Sequence, residues 1–117
     1  MNESGRTPPP PSRRLDQWMW FARLVKSRSL AGRLCAAGAV TLNGVAVRKP
    51  NQMVRIGDAI ATPQGSVQRT VRLLALGSRR GPATEARLLY EEIAAPVRLS
   101  DLAPAWEPLL EANDSEI

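Results

Sequence analysis

The sequence predicts an α+β fold in which two N-terminal helices pack on a small, strongly twisted, antiparallel-rich sheet, followed by a C-terminal helical tail. Three observations lead there. Apolar residues recur at three and four positions from Leu15 onward, the period of an amphipathic helix. After Gly38 that period shortens to two, the alternation of a half-buried strand. Asn43-Gly44 then stands between two alternating segments, the strongest local signal for a tight hairpin.

Taken in order, residues 1–11 read as a disordered arm, because Pro8 to Pro11 favour an extended polyproline conformation. Ser12 is placed to cap a first helix beginning near Arg13, with Leu15, Trp18, Met19, Ala22 and Val25 on one stripe. Trp20, Phe21 and Leu24 lie off that stripe, so the helix must be covered on a second side. Ser27 caps a second helix whose buried side is Leu30, Ala31, Leu34, Cys35 and Ala37, and Gly38 ends it in the left-handed conformation. Val40, Leu42, Val45 and Val47 form the hairpin, Val54 to Ile60 a strand approach with a turn, and Val67 to Leu76 a long strand entered through a turn at Pro63-Gln64-Gly65. Residues 12–80 make the domain. Residues 81–117 read as a helical, acidic extension, with Ala83 to Ile93 as its first helix and Leu88, Leu89 and Ile93 on one side.

The 117 residues suffice for one domain with tails, and a hydrophobic fraction of 44% with 4% aromatics implies a core of Leu, Val, Ile and Ala. No apolar run is long enough to span a membrane, and the first residues lack the pattern of a secretory signal. A single cysteine, Cys35, on the apolar side of a helix reads as a core residue in a reducing, cytoplasmic setting. Charge is divided along the chain. Between Ser12 and Arg80, thirteen Lys or Arg face only Asp16 and Asp58, a net +11; from Gly81 onward, two arginines face eight acids, a net −6. A basic body implies a polyanionic partner, and fourteen arginines against two lysines favour nucleic acid, since the guanidinium fork suits phosphate and stacks on bases. With no histidine there is no imidazole base or His-containing metal site, and no Gly-rich phosphate loop precedes a helix, so enzyme, cofactor and small-molecule readings lose their usual chemistry.

Arg14-Leu15-Asp16, Lys26-Ser27-Arg28, Gly38-Ala39-Val40, Asn43-Gly44 and Gly57-Asp58-Ala59-Ile60, in that order, resemble the S4 RNA-binding domain over roughly residues 13–62. Trp18-Met19-Trp20 and Arg80-Gly81-Pro82-Ala83, followed by Leu89-Tyr90-Glu91-Glu92, look like the fifteen-kilodalton heat-shock protein family, whose members are stand-alone S4 proteins. The resemblance implies an S4-type (alpha-L) fold. It implies as partners ribosomal RNA and the large ribosomal subunit carrying a stranded nascent chain on tRNA, with the tRNA as an added contact. The acidic, proline-broken segment after Ala94 departs from the basic tail expected of that family.

The residues themselves suggest where RNA would lie. Arg13 and Arg14 sit at a helix start, Arg23 follows on the same helix, and Lys26 and Arg28 bracket the turn around Ser27. Amides at the start of the second helix add partial positive charge there. Arg33 borders the patch, and Arg48 with Lys49 extend it along the sheet edge. Asp16, a lone acid in this region, is assigned to orienting an arginine such as Arg28 or capping donors at Ser27. Gly38, Asn43 and Gly44 support the backbone. Arg69, Arg72, Arg79 and Arg80 remain open between phosphate contact and solvation, and Trp20 between stacking on a base and packing against the C-terminal helix. Two other functional classes stand beside this one: a helix-turn-helix DNA binder built from Trp18 to Gly38, and a protein–protein adaptor that docks through the acidic tail.

Overall fold

The computed structural model describes residues 10–101. Its elements are β1 (Arg13–Arg14), α1 (Leu15–Phe21), α2 (Arg28–Ala36), β2 (Thr41–Leu42), β3 (Val45–Ala46), β4 (Met53–Val54), β5 (Ala59–Gln64), β6 (Val67–Leu73), α3 (Ala83–Ala86) and β7 (Tyr90–Arg98). A five-stranded antiparallel sheet has the order β3-β2-β5-β6-β7, and β1 pairs separately with β4. Both helices pack on the sheet around Leu15, Trp18, Met19, Leu24, Leu34, Val40, Val54, Ile60, Val71 and Leu73, all essentially inaccessible. Trp18 satisfies its one polar atom by donating Nε1–H to the Ala75 carbonyl at 2.9 Å, which ties α1 to the chain leaving β6. Phe21 and Leu24 are buried too, so α1 is covered on two sides.

α1 starts at Leu15, two residues later than the helix expected from Arg13, and Ser12 does not cap it. The amides of Leu15 and Asp16 donate instead to the carbonyls of Gln52 (2.7 Å) and Pro50 (3.4 Å), so a distant loop does the work of a cap. α2 follows the local signals. Ser27 Oγ accepts from the Leu30 amide at 3.1 Å, and Gly38 has a φ of 77°, where a side chain would be strained. Ala37, expected on the buried side of α2, is exposed. Asn43 (φ 52°) and Gly44 (φ 87°) both lie in the left-handed region, as a two-residue turn between β2 and β3 requires. Pro63 belongs to β5, opposite Gln68, so the next turn starts after Gln64, one residue later than its proline suggests.

The C-terminal part departs furthest from expectation. The helix expected over Ala83 to Ile93 stops at Ala86, continues as a single 3-10 turn over Arg87–Leu89, and gives way to β7. The reason lies in β6. Its outer edge would otherwise leave ladder donors and acceptors unpaired, and it carries Arg69 and Arg72, which meet Glu92 and Glu91 of β7 in ion pairs. Pro96, which would break a helix, is tolerated in this edge strand. Leu99 follows β7 into the core, and its amide donates to the Ser66 carbonyl at 2.9 Å. The rest of the expected helical tail, residues 102–117, lies outside the described residues.

Leu88 and Leu89 separate the two readings by energy, because the first is 71% exposed and the second 7%. Leu89→Ala should cost about 2–4 kcal/mol and Leu88→Ala within about 0.5 kcal/mol in denaturant titrations. A helix running to Ile93 would make both substitutions costly.

Candidate nucleic-acid interface

The charged residues of the basic body sort into groups once their partners are known. At the junction of α1 and α2, Asp16 is 5% exposed and its carboxylate accepts from Arg14 through Nε (3.0 Å) and Nη2 (2.8 Å). The same carboxylate lies 3.6 Å from Arg28 Nη2. The two arginine side chains remain 46% and 42% exposed while that of Asp16 is 8% exposed, so a nearly buried anion holds two solvent-facing guanidiniums. Asp16 thus holds Arg14 by two hydrogen bonds and lies within ion-pair reach of Arg28. It does not cap donors at Ser27, which uses its own hydroxyl. One carboxylate offsets only one of the two positive charges, and the surplus is directed outward.

The loop between β3 and β4 brings further cations to this junction. Its Pro50 lies against Gly32 of α2, where an added Cβ would sit 3.7 Å from the proline ring, while Pro50 and Gln52 hold the start of α1. Arg48 and Lys49, both exposed, are carried by this loop. Arg48 passes close to Gly38, where an added Cβ would lie 3.1 Å from its Nη1, so the glycine serves both the turn and the arginine's path. Leu42, Val45, Val47, Arg48 and Lys49 line a shallow groove of about 360 Å³ beside it. Lys26 and Arg33 are exposed on either side of the first turns of α2.

The remaining expected residues go elsewhere. Arg13 turns inward, donating to the carbonyls of Leu76 (3.1 Å) and Gly77 (2.7 Å) and to Gln17 (3.1 Å), with its guanidinium over the Phe21 ring. Its donors serve the fold. Arg23 lies past the far end of α1, with a φ of 59° and Nε bonded to the Gly81 carbonyl. Asn43 does more than shape its turn: it donates to Asp58 (3.1 Å) and accepts from the Ala59 amide (2.9 Å), locking the hairpin to the loop before β5. The Arg80 guanidinium sits over the Trp20 ring, 5.3 Å from its centroid. Arg69, Arg72 and Arg79 all pair with carboxylates, those of Glu92, Glu91 and Glu85. Among the described residues, no group of three or more His, Cys, Asp or Glu could hold a metal ion, and no helix is long and apolar enough to cross a membrane.

Residues 13–60 match the S4 domain. Over 84 residues the chain is 43% identical to heat shock protein 15 of Escherichia coli (strain K12), an alignment covering 72% of this chain and 62% of that protein. It is 35% identical over 78 residues to the RQC P-site tRNA stabilizing factor of Halalkalibacterium halodurans, covering 67% of this chain and 86% of that one. The solved trimeric structure of heat shock protein 15 from Vibrio cholerae superposes with a TM-score of 0.67 at 39% identity, covering 72% of this chain and 84% of the other. The chain therefore spans less than two thirds of the length of the Escherichia coli relative.

Two outcomes follow from the Asp16 arrangement. Asp16→Asn raises the net positive charge, yet RNA affinity should fall roughly fivefold, about 1 kcal/mol, as both guanidiniums lose their anchor. Fluorescence anisotropy with a structured RNA checks it; tighter binding would mean that net charge alone matters. Burial, and then the charge of Asp16, push the Cys35 thiol up to about 11 from its ordinary value of 9.0. Between those values the folded thiol keeps a proton that the unfolded chain has released, so stability falls as pH rises through that window. Subtracting the stability curve of Cys35→Ala from that of the parent should isolate this alkaline loss.

Proposed function

The chain belongs to the heat shock protein 15 family of S4-domain proteins, and on that premise we propose that it binds RNA of the large ribosomal subunit, acting on subunits left with a stranded peptidyl-tRNA. The observation that carries the reading is the pair of outward guanidiniums, Arg14 and Arg28, held by the nearly buried Asp16 beside the loop bearing Arg48 and Lys49. Fixed cations with surplus charge, spread over a helix junction and an adjoining loop, suit phosphates of a folded RNA whose shape sets their spacing. Lys26, Ser27 and Arg33 extend this surface along α2. We read the activity as binding without catalysis, in the cytoplasm, with tRNA on the stranded subunit as an added contact.

A helix-turn-helix reading suits the geometry less well. A recognition helix must enter a major groove with polar side chains along its leading face. Here Pro50 lies against Gly32 in the middle of α2, and Leu30, Ala31, Leu34 and Cys35 face the core. That leaves Arg28, Ser29, Arg33 and Ala36 as the exposed residues of α2, beside the loop that carries Pro50.

Lys26→Glu combined with Arg28→Glu should lower RNA affinity at least tenfold, about 1.4 kcal/mol, while the protein keeps its fold. Binding by the parent should weaken with salt along a log–log slope of about −3 to −5, as expected for about four to six neutralised phosphates. Unchanged affinity in the folded double variant, or a flat salt response, would reject the surface. Cosedimentation with empty and with peptidyl-tRNA-bearing large subunits tests the partner: preferential recovery with the latter is expected, and equal recovery would reject the selectivity alone.

A further inference from the structure

Where the chain returns from the sheet to the far end of α1, two arginines brace each other's backbone. Arg23 donates Nε–H to the Gly81 carbonyl at 2.7 Å. Arg80 donates Nη1–H to the carbonyls of Trp20 (3.1 Å) and Val25 (3.3 Å) and lays its guanidinium over the Trp20 ring. The backbone of Arg23 is itself held, its carbonyl accepting from Gln64 Nε2 at 3.1 Å. Each guanidinium is therefore fixed through one nitrogen, and its other N–H groups are not used by those bonds.

Their surroundings differ from those of the arginines paired with carboxylates. Arg14, Arg28, Arg69, Arg72, Arg79 and Arg98 each have a carboxylate within 4.0 Å. Arg23 and Arg80 have none among the described residues, and they are close enough to feel one another. Burial, and then the charge of Arg23, pull the Arg80 guanidinium below its ordinary value. Arg23 also occupies a φ of 59°, where glycine would be at ease and an arginine is strained. A purely structural brace needs neither feature. A glutamine at 23 would offer its amide nitrogen where Arg23 Nε stands and still reach the Gly81 carbonyl without a charge. Two uncompensated, pre-positioned cations are what an anion site requires.

We propose that Arg23 and Arg80 form a second phosphate-binding point, separate from the Asp16 junction, that takes a further phosphodiester of the same RNA. The inference rests on the RNA-binding reading above and adds to it. α1 separates the two points by roughly 10 Å along its axis, a span that one folded RNA can bridge. Two joined contacts raise affinity beyond either one, and phosphate contacts of this kind fix register on the RNA.

The test uses the full chain carrying both Arg23→Gln and Arg80→Gln, which remove the two positive charges and leave an amide donor at each position. At position 23 the amide nitrogen falls where Arg23 Nε stands and still meets the Gly81 carbonyl, whereas at position 80 it stops two bonds short of Nη1, so thermal melting is read alongside binding. Filter binding to large-subunit ribosomal RNA should show an affinity loss of about fivefold or more and a salt slope shallower by about one to two. A folded double variant with parental affinity and slope would overturn the proposal. Should the pair melt early, Arg23→Gln alone carries the same test, since it removes one positive charge and keeps the donor to the Gly81 carbonyl. The Lys26 and Arg28 reversal, run in parallel, keeps the two ideas apart. If it alone loses binding, the second point is wrong and the RNA-binding reading stands; if neither variant loses binding, both surfaces are rejected; and if the parent itself does not bind, the RNA-binding reading fails.

Discussion

The amides of Leu15 and Asp16, the first of α1, end on the carbonyls of Gln52 and Pro50, and the geometry of the whole basic surface depends on that clasp. Helix starts leave donors without partners, and burying them unpaired would cost about 1–3 kcal/mol each. The loop between β3 and β4 meets this need, and in doing so is drawn across both helices. β1 pairs with β4 on one side of it, and Pro50 seats against Gly32 on the other. Arg48 and Lys49 ride on the same loop and Arg14 lies beside it, so one set of backbone bonds assembles cations that are far apart in the chain.

What an arginine does in this protein is decided by what its first nitrogen meets. Where it meets carbonyls on buried backbone, as in Arg13, the cation becomes a cross-brace between the start of α1 and the chain leaving β6. Pairing with a carboxylate on a neighbouring strand, as in Arg69 and Arg72, stitches the sheet edge and largely cancels the charge. Where one buried acid is shared between two guanidiniums, the geometry holds cations outward with charge to spare. A count of basic residues cannot distinguish these fates, and so overstates the charge offered to a partner.

Legibility in the sequence tracked the range of the interaction. The second helix could be bounded because Ser27 and Gly38 act within one turn of their own backbone, and the first hairpin because Asn43-Gly44 encodes its own turn. The start of α1 and the identity of β7 could not, since each is set by a partner far along the chain. Ala86, Leu89 and Ile93 follow helical spacing, yet cross-strand pairing such as Arg69 with Glu92, twenty-three residues apart, prevails. In the candidate site the same division holds. Asp16 stood out as the lone acid near Arg28, whereas the inward turn of Arg13 depends on a carbonyl sixty-three residues away.

β7 is nine residues long and, among the described residues, closes one side of the sheet with no strand beyond it. Such an edge is ordinarily an invitation for another chain to add a strand and begin a fibre. Here Pro96 removes a donor from the row, and the pairing with β6 slips register on both sides of Thr70, so the outer edge offers no straight run of evenly spaced amides. Charges from Glu91, Glu92 and Arg98 flank what apolar surface is left. The irregularity of this strand is a physical safeguard against edge-to-edge joining of one copy to the next.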